Sequence, residues 1–199
     1  MDNDIIEEIS QRLAGMFTDP ILIGGIASIK AGYTTEATND VDAIIVISDR
    51  QVVAQVLRDY SERPMSGGVK GRGTFEGIHV DVYFPYQSKL GDAARLDVAT
   101  IAEYRGQRHG NWTLLTAPAQ FVTKVAALLD RAAKSKGERD AQVLLTMIDS
   151  GVDGAESRRV FLRCAEAAGA AGLWSQARDE LVDRAPGRRE QQIRAFFGA

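Results

Sequence analysis

Two apolar runs in this sequence carry aspartate on one side only, and that pattern restricts how the chain can fold. "TNDVDAIIVIS", residues 38–48, sets Asp40 and Asp42 at the mouth of an apolar strand. Side chains alternate along an extended strand, so Asp40 and Asp42 share one face while Val41, Ala43 and Ile45 take the other. "IHVDVYF", residues 78–84, repeats the theme. Ile78, Val80, Val82 and Phe84 line one face of it, and His79, Asp81 and Tyr83 line the other. If the two strands are neighbours, Asp81 converges on Asp40 and Asp42.

Three convergent carboxylates repel one another unless a cation sits among them. Hard oxygen donors at a site open to phosphate oxygens suit Mg²⁺. Two such ions, ~3.5 to 4 Å apart and bridged by shared carboxylates, stabilise both the attacking and the leaving oxygen in phosphoryl transfer. Spacing alone also permits a solvated strand end with an unrelated Asp81. Upstream, Gly24-Gly25 in "ILIGGIASIKAG" stands between a short apolar strand and a helical stretch ended by Gly32. A glycine pair there lets the backbone approach an anion closely, with helix N–H groups directed at it.

The remaining pattern predicts an α/β first half and a helical second half. Ile5, Ile6, Ile9, Leu13 and Phe17 recur at helical spacing in residues 4–17. "DRQVVAQVLRDYSE", residues 49–62, reads as one amphipathic helix, and residues 72–84 as a hairpin turning at Glu76-Gly77. From Ala93 onward the pattern is helical with short interruptions. Thr116 caps a helix that Pro118 starts and that runs to about Lys134. Further helices are expected over about 138–149, 155–169 and 172–184. The expected domains are 1–115, a small mixed sheet with flanking helices (α/β, α+β), and 116–199, a helical bundle.

The order of "GGIASIKAG", "TNDVD" and "IHVDVYF" resembles that of the nucleotidyltransferase superfamily, the polymerase beta-like or minimal nucleotidyltransferase fold. That resemblance implies that Gly24 and Gly25 cradle a nucleoside triphosphate and that Asp40 and Asp42 ligate two Mg²⁺ ions. It implies that Asp81 completes the catalytic metal site and helps activate an acceptor hydroxyl, while Thr38 matches the threonine before the acidic pair. Downstream, "TAPAQFVTKVAALLDRAAKSKGERD" is similar to the helical segment of abortive-infection-type nucleotidyltransferase toxins. In that comparison Lys124 and Arg131 meet nucleotide phosphates, and Lys136 and Asp140 match the ends of a K-D-x-x-D-like signature. The similarity covers about residues 20–148. It departs from the family at Glu36, where many relatives carry arginine, and at Gly137, which replaces the first aspartate of the signature.

Composition closes several other routes. The formal net charge of -3 gives no global attraction to nucleic acid or to an anionic membrane. Residues 1–115 hold 11 Lys/Arg against 16 Asp/Glu, and residues 116–199 hold 13 against 11, so the first half is the more acidic. One cysteine, Cys164, excludes an internal disulfide, and two histidines leave little for zinc. Neither a G-x-x-x-x-G-K-[ST] loop nor a G-x-S-x-G elbow occurs. The acidic start is unlike a signal peptide, and no run reaches the ~20 apolar residues of a membrane span. A cytoplasmic protein is expected.

These features lead to an expected Mg²⁺-dependent transfer of a nucleoside monophosphate from an NTP to a hydroxyl on a tRNA, a protein or a small molecule. The toxin resemblance leaves an antitoxin open as a partner. The alternative is a non-catalytic nucleotide- or partner-binding module on the same fold, with a phosphohydrolase as a third reading.

Overall fold

Ile6, Ile9 and Leu13 fall on one side of helix α1 (Asn3–Ala14) and are buried, as their spacing requires. The computed structural model describes residues 3–38, 40–65, 68–185 and 187–198. Ser66 and Gly67, in the glycine-rich stretch, lie outside the described residues. After α1 come strand β1 (Ile21–Ile23), helix α2 (Gly24–Lys30) and strand β2 (Asp40–Ile44). Helix α3 (Arg50–Val56) leads into three strands, β3 (Arg58–Met65), β4 (Gly68–Phe75) and β5 (Ile78–Tyr83). Short strands β6 (Lys89–Leu90) and β7 (Leu96–Asp97) precede helix α4 (Val98–Ile101), strand β8 (Arg105–His109) and strand β9 (Trp112–Leu115). Five helices complete the chain: α5 (Ala117–Arg131), α6 (Ser135–Asp149), α7 (Gly154–Cys164), α8 (Ala170–Arg184) and α9 (Arg188–Phe197).

Two compact units divide the chain, residues 1–89 with 98–116, and residues 90–97 with 117–199. The first unit is built on a mixed sheet of order β3-β4-β5-β2-β1-β9-β8. β2 runs parallel to β5 and antiparallel to β1, and β1 runs parallel to β9. One face of the sheet is apolar: Leu22, Val41, Ala43, Val80 and Val82 pack with Ile6, Ile9, Leu13, Val53 and Leu57 in a single buried cluster. Trp112 is fully buried there and its indole N–H donates to the Ser10 carbonyl at 3.1 Å, tying β9 to α1.

In the second unit Phe121, Phe161, Trp174, Phe196 and Phe197 form a connected aromatic cluster, with Trp174 and Phe197 ring centres 4.6 Å apart. Cys164 is buried among these helices as a small packed side chain. Asp153 caps α7 by accepting from the Glu156 N–H at 2.9 Å.

Two local expectations are corrected. The helix expected over 49–62 ends at Val56, and residues 58–62 are extended. Asp59 has φ 54° and the β3–β4 register shifts between Arg58 and Ser61, so pairing with β4 overrides the helical spacing of the apolar residues. Strands β8 and β9 lie in a region expected to be helical. Their signal is weak because β8 is exposed along its length and β9 is buried along its length, so neither alternates. Helix α9 lies within the helical bundle expected over 116–199, beyond the last helix whose bounds the sequence suggests.

Candidate active site

The face of the first sheet opposite the apolar core carries the charge. Because β2 and β5 are parallel neighbours, Asp42 stands directly beside Asp81, and Asp40 beside His79. On the outer side of β5, Arg72 of β4 is the register partner of Asp81, and Arg63 of β3 is the register partner of Lys70. Side chains at paired positions share a face. Asp40, Asp42 and Asp81 therefore share one face of two adjoining strands.

The glycine pair closes the other side. Gly24 and Gly25 are the first two residues of α2, directly after β1, rather than a separate turn. Gly24 has φ 73°, and a Cβ built on it would collide with Asp42 Oδ2. A Cβ on Gly25 would lie 3.1 to 3.2 Å from three side-chain atoms of Thr38. Only glycine lets this backbone and the Asp42 carboxylate approach so closely. Thr38 Oγ1 in turn accepts from the Asp40 N–H at 3.4 Å, which fixes the chain entering β2.

Asp81 is buried, at 7% exposure, and both its oxygens are engaged by cations. Arg72 Nε donates to Oδ1 at 2.6 Å, and Arg72 Nη2 and Lys70 Nζ each donate to Oδ2 at 2.9 Å. Burial alone pushes this carboxyl up, but the hydrogen bonds from Arg72 and Lys70 outweigh it and hold Asp81 below the ordinary carboxylate range. The same bonds raise the Arg72 guanidinium further. The Lys70 ammonium also sits 5.9 Å from the centre of the Tyr83 ring.

Among the described residues, no three of His, Cys, Asp and Glu gather into a ready metal cluster. The donor chemistry nevertheless suits a hard divalent cation: Asp40 and Asp42 present oxygen donors on one face, half-buried, with the Gly24 backbone close against the Asp42 carboxylate. Asp81 is the third such donor, beside Asp42 but drawn toward Lys70 and Arg72.

Lys124, Arg131 and Asp140 meet one another in the helical unit. Lys124 Nζ donates to Asp140 Oδ1 at 3.2 Å, and Arg131 Nη2 lies 2.7 Å from Oδ2 as an ion pair outside hydrogen-bond alignment. Lys124 and Asp140 are both buried, so the triad joins α5 to α6. Gly137 has a local reason: a Cβ there would collide with the Arg131 carbonyl oxygen, which leaves no room for an aspartate. Glu36 is exposed in the segment before β2.

Lys70 and Arg72 are not among the residues the resemblance implies for the site, and their place on β4 brings both to Asp81. The signal was present in "VKGRGTF", where Lys70, Arg72 and Thr74 alternate with Gly71 and Gly73 as a strand requires. Gly71 and Gly73 face the other way, where Tyr60 and Leu57 crowd them.

No family model matches the chain, and no curated protein shows significant similarity to it. Solved structures do. An antigenic nucleotidyltransferase-like protein from Paracoccidioides brasiliensis matches with a TM-score of 0.60 at 16% identity, over 98% of this chain and 94% of that one. The antibiotic-resistance factor ANT(2'')-Ia matches with a TM-score of 0.51 at 12% identity, over 82% of this chain and 92% of that one. The chain has a nucleotidyltransferase-like fold, a mixed sheet with flanking helices followed in sequence by a helical region.

Proposed function

We propose that the protein is a nucleotidyltransferase that moves a nucleoside monophosphate from an NTP to a hydroxyl acceptor. The observation that carries this reading is the contact of Asp42 with Gly24, which sets an acidic strand against a glycine-opened helix start. An anion held at Gly24 and Gly25 lies beside carboxylates that can share a cation with it.

The residues have distinct roles in this reading. Gly24 and Gly25 let the triphosphate approach the backbone, and Thr38 holds the strand entry that aims Asp40 and Asp42. Mg²⁺ bound at Asp40 and Asp42, and at Asp81 once that residue is released, would neutralise charge on the phosphates and the leaving pyrophosphate. The acceptor oxygen bonds to the α-phosphorus while the bond from that phosphorus to the β-phosphate oxygen breaks. Pyrophosphate leaves with the electron pair, and the hydroxyl proton passes to a carboxylate of the site. Catalysis of this kind is positioning and charge stabilisation rather than covalent chemistry on the protein.

The capping of Asp81 by Lys70 and Arg72 favours a second reading, a module that binds nucleotide without transferring it. One experiment separates the two. The protein is incubated with each α-labelled NTP, Mg²⁺ and a cell extract, beside Asp42→Ala. Label transfer by the wild type and its loss in the variant support the enzyme; nucleotide binding with equal, background-level transfer in both supports the module. Growth arrest on expression, relieved by Asp42→Ala, is the expected sign of a toxin role.

A further inference from the structure

The charged face has a direction across the sheet. The glycine-opened start of α2 adjoins β2 with Asp40 and Asp42, then comes β5 with Asp81, then β4 with Lys70 and Arg72, then β3 with Arg63. Neighbouring strands are ~4.8 Å apart and Arg63 is offset by two residues along β3, so it lies about 12 Å from Asp81, on the side away from Gly24. Arg63 is exposed, and Arg63 with Lys70 is a register pair on the same face. If the nucleotide triphosphate is held at the glycine side, as proposed above, the acceptor enters over β4 and β3.

We propose that Arg63, Lys70 and Arg72 form the acceptor side of this site, that they bind the phosphates of a single-stranded nucleic acid, and that Asp81 gates them. The inference rests on the nucleotidyltransferase reading for the placement of the triphosphate, but its chemistry is separate. Three cations in a row across two strands match a chain of phosphates, and they repel a polycationic small molecule. Two of the three are neutralised by the same carboxylate, with three hydrogen bonds to Asp81. A divalent cation drawn to Asp81 competes for the oxygens that hold Lys70 and Arg72, so its binding releases two cations toward the acceptor. Linkage makes the effect mutual: an acceptor that engages Lys70 and Arg72 frees Asp81 for the metal.

The test uses the 199-residue chain, a fluorescein-labelled single-stranded RNA and metal-stripped buffer, with binding read by anisotropy across a salt series. Asp81→Asn removes the carboxylate charge without metal, and it is expected to bind RNA about tenfold tighter than the wild type. Arg63→Glu, at an exposed position, is expected to weaken binding about tenfold in both backgrounds. Arg63→Ala is expected to reduce the slope of log affinity against log salt by about 0.7, one single-strand phosphate contact. Manganese titration followed by electron paramagnetic resonance adds a reading free of RNA: Lys70→Gln with Arg72→Gln is expected to tighten Mn²⁺ binding several-fold. Circular dichroism establishes that each variant is folded.

RNA affinity unchanged by Asp81→Asn, or unchanged by Arg63→Glu, overturns the proposal. So does a row that binds inorganic tripolyphosphate while ignoring RNA, or that binds a polyglutamate peptide equally well at matched charge. Absence of nucleotidyl transfer in the labelling assay defeats the enzymatic reading without changing these binding outcomes, so the two failures are distinguishable.

Discussion

The Asp42 carboxylate fills the space that a side chain on Gly24 would need, and Gly24 itself is in the left-handed region at φ 73°. Gly24→Ala therefore incurs two penalties, backbone strain and collision with Asp42. Gly32 supplies the control, because its φ is 78° and nothing lies within 4 Å of an added Cβ. Gly32→Ala is expected to cost about 1 kcal/mol, the strain alone. Gly24→Ala is expected to cost at least about 2 kcal/mol and to displace Asp42, with Mn²⁺ binding lost. Urea denaturation of the two variants beside manganese titration checks the difference; equal costs and intact binding would remove Asp42 from the contact.

Asp40→Asn and Asp42→Asn test the acidic face without altering side-chain volume. Asp42 stands directly beside Asp81, and like charges at paired positions destabilise each other, so Asp42→Asn is not expected to lower the melting temperature. Nucleotidyl transfer is expected to fall by at least about a hundredfold in each, the scale seen when a group that stabilises transition-state charge is removed. Preserved transfer in both would detach the carboxylates from catalysis.

The acidic face was legible in the sequence because β2 and β5 alternate cleanly, and side-chain alternation fixes which residues share a face. The glycine pair was legible in place but not in form, since it stands between strand and helix as expected yet forms the first two residues of α2 rather than a turn. What escaped was set by long-range pairing. Arg58 to Glu62 continue a helical pattern locally, yet β4 recruits them as an edge strand. Trp112 to Leu115 are buried on both faces and so show no period at all. The salt bridges on Asp81 depend on β4 lying beside β5, and nothing in the spacing of Lys70 and Arg72 announces their partner. At Lys124 and Asp140 the sequence located two charged residues on facing helices, but could not reveal that burial commits them to each other.

That commitment predicts a stability effect in the helical unit. Asp140 is 4% exposed between Lys124 and Arg131. Removing the carboxylate leaves a buried ammonium without its anion, so Asp140→Ala is expected to destabilise by about 3 kcal/mol or more. Lys124→Met with Asp140→Leu removes both buried charges and is expected to recover most of that loss. Chemical denaturation of the single and double variants measures it. A stable Asp140→Ala protein that has lost nucleotide affinity would instead assign the triad to binding.

Acid should weaken a second ionic link, at the β3 edge of the first sheet. Glu62 of β3 accepts from Arg50 Nε at 2.7 Å and from the Tyr60 hydroxyl at 2.8 Å. The Arg50 hydrogen bond is the main cause that lowers the Glu62 carboxyl below its ordinary value of 4.5, against the opposing effect of burial. A carboxyl lowered on folding contributes stability that is fully present above the unfolded value and is lost as pH falls through the folded one. Arg50 is partly exposed, with 39% of its side chain accessible, so solvent screening reduces the link. Glu62→Gln is expected to cost about 1 kcal/mol at pH 7. The gap between the wild type and the variant should hold from pH 7 to about 5, narrow as pH falls past the ordinary value of 4.5, and close as it falls through the lowered one. Thermal melts across that range measure it. A gap that persists unchanged at pH 3 would mean that Glu62 acts through packing rather than charge.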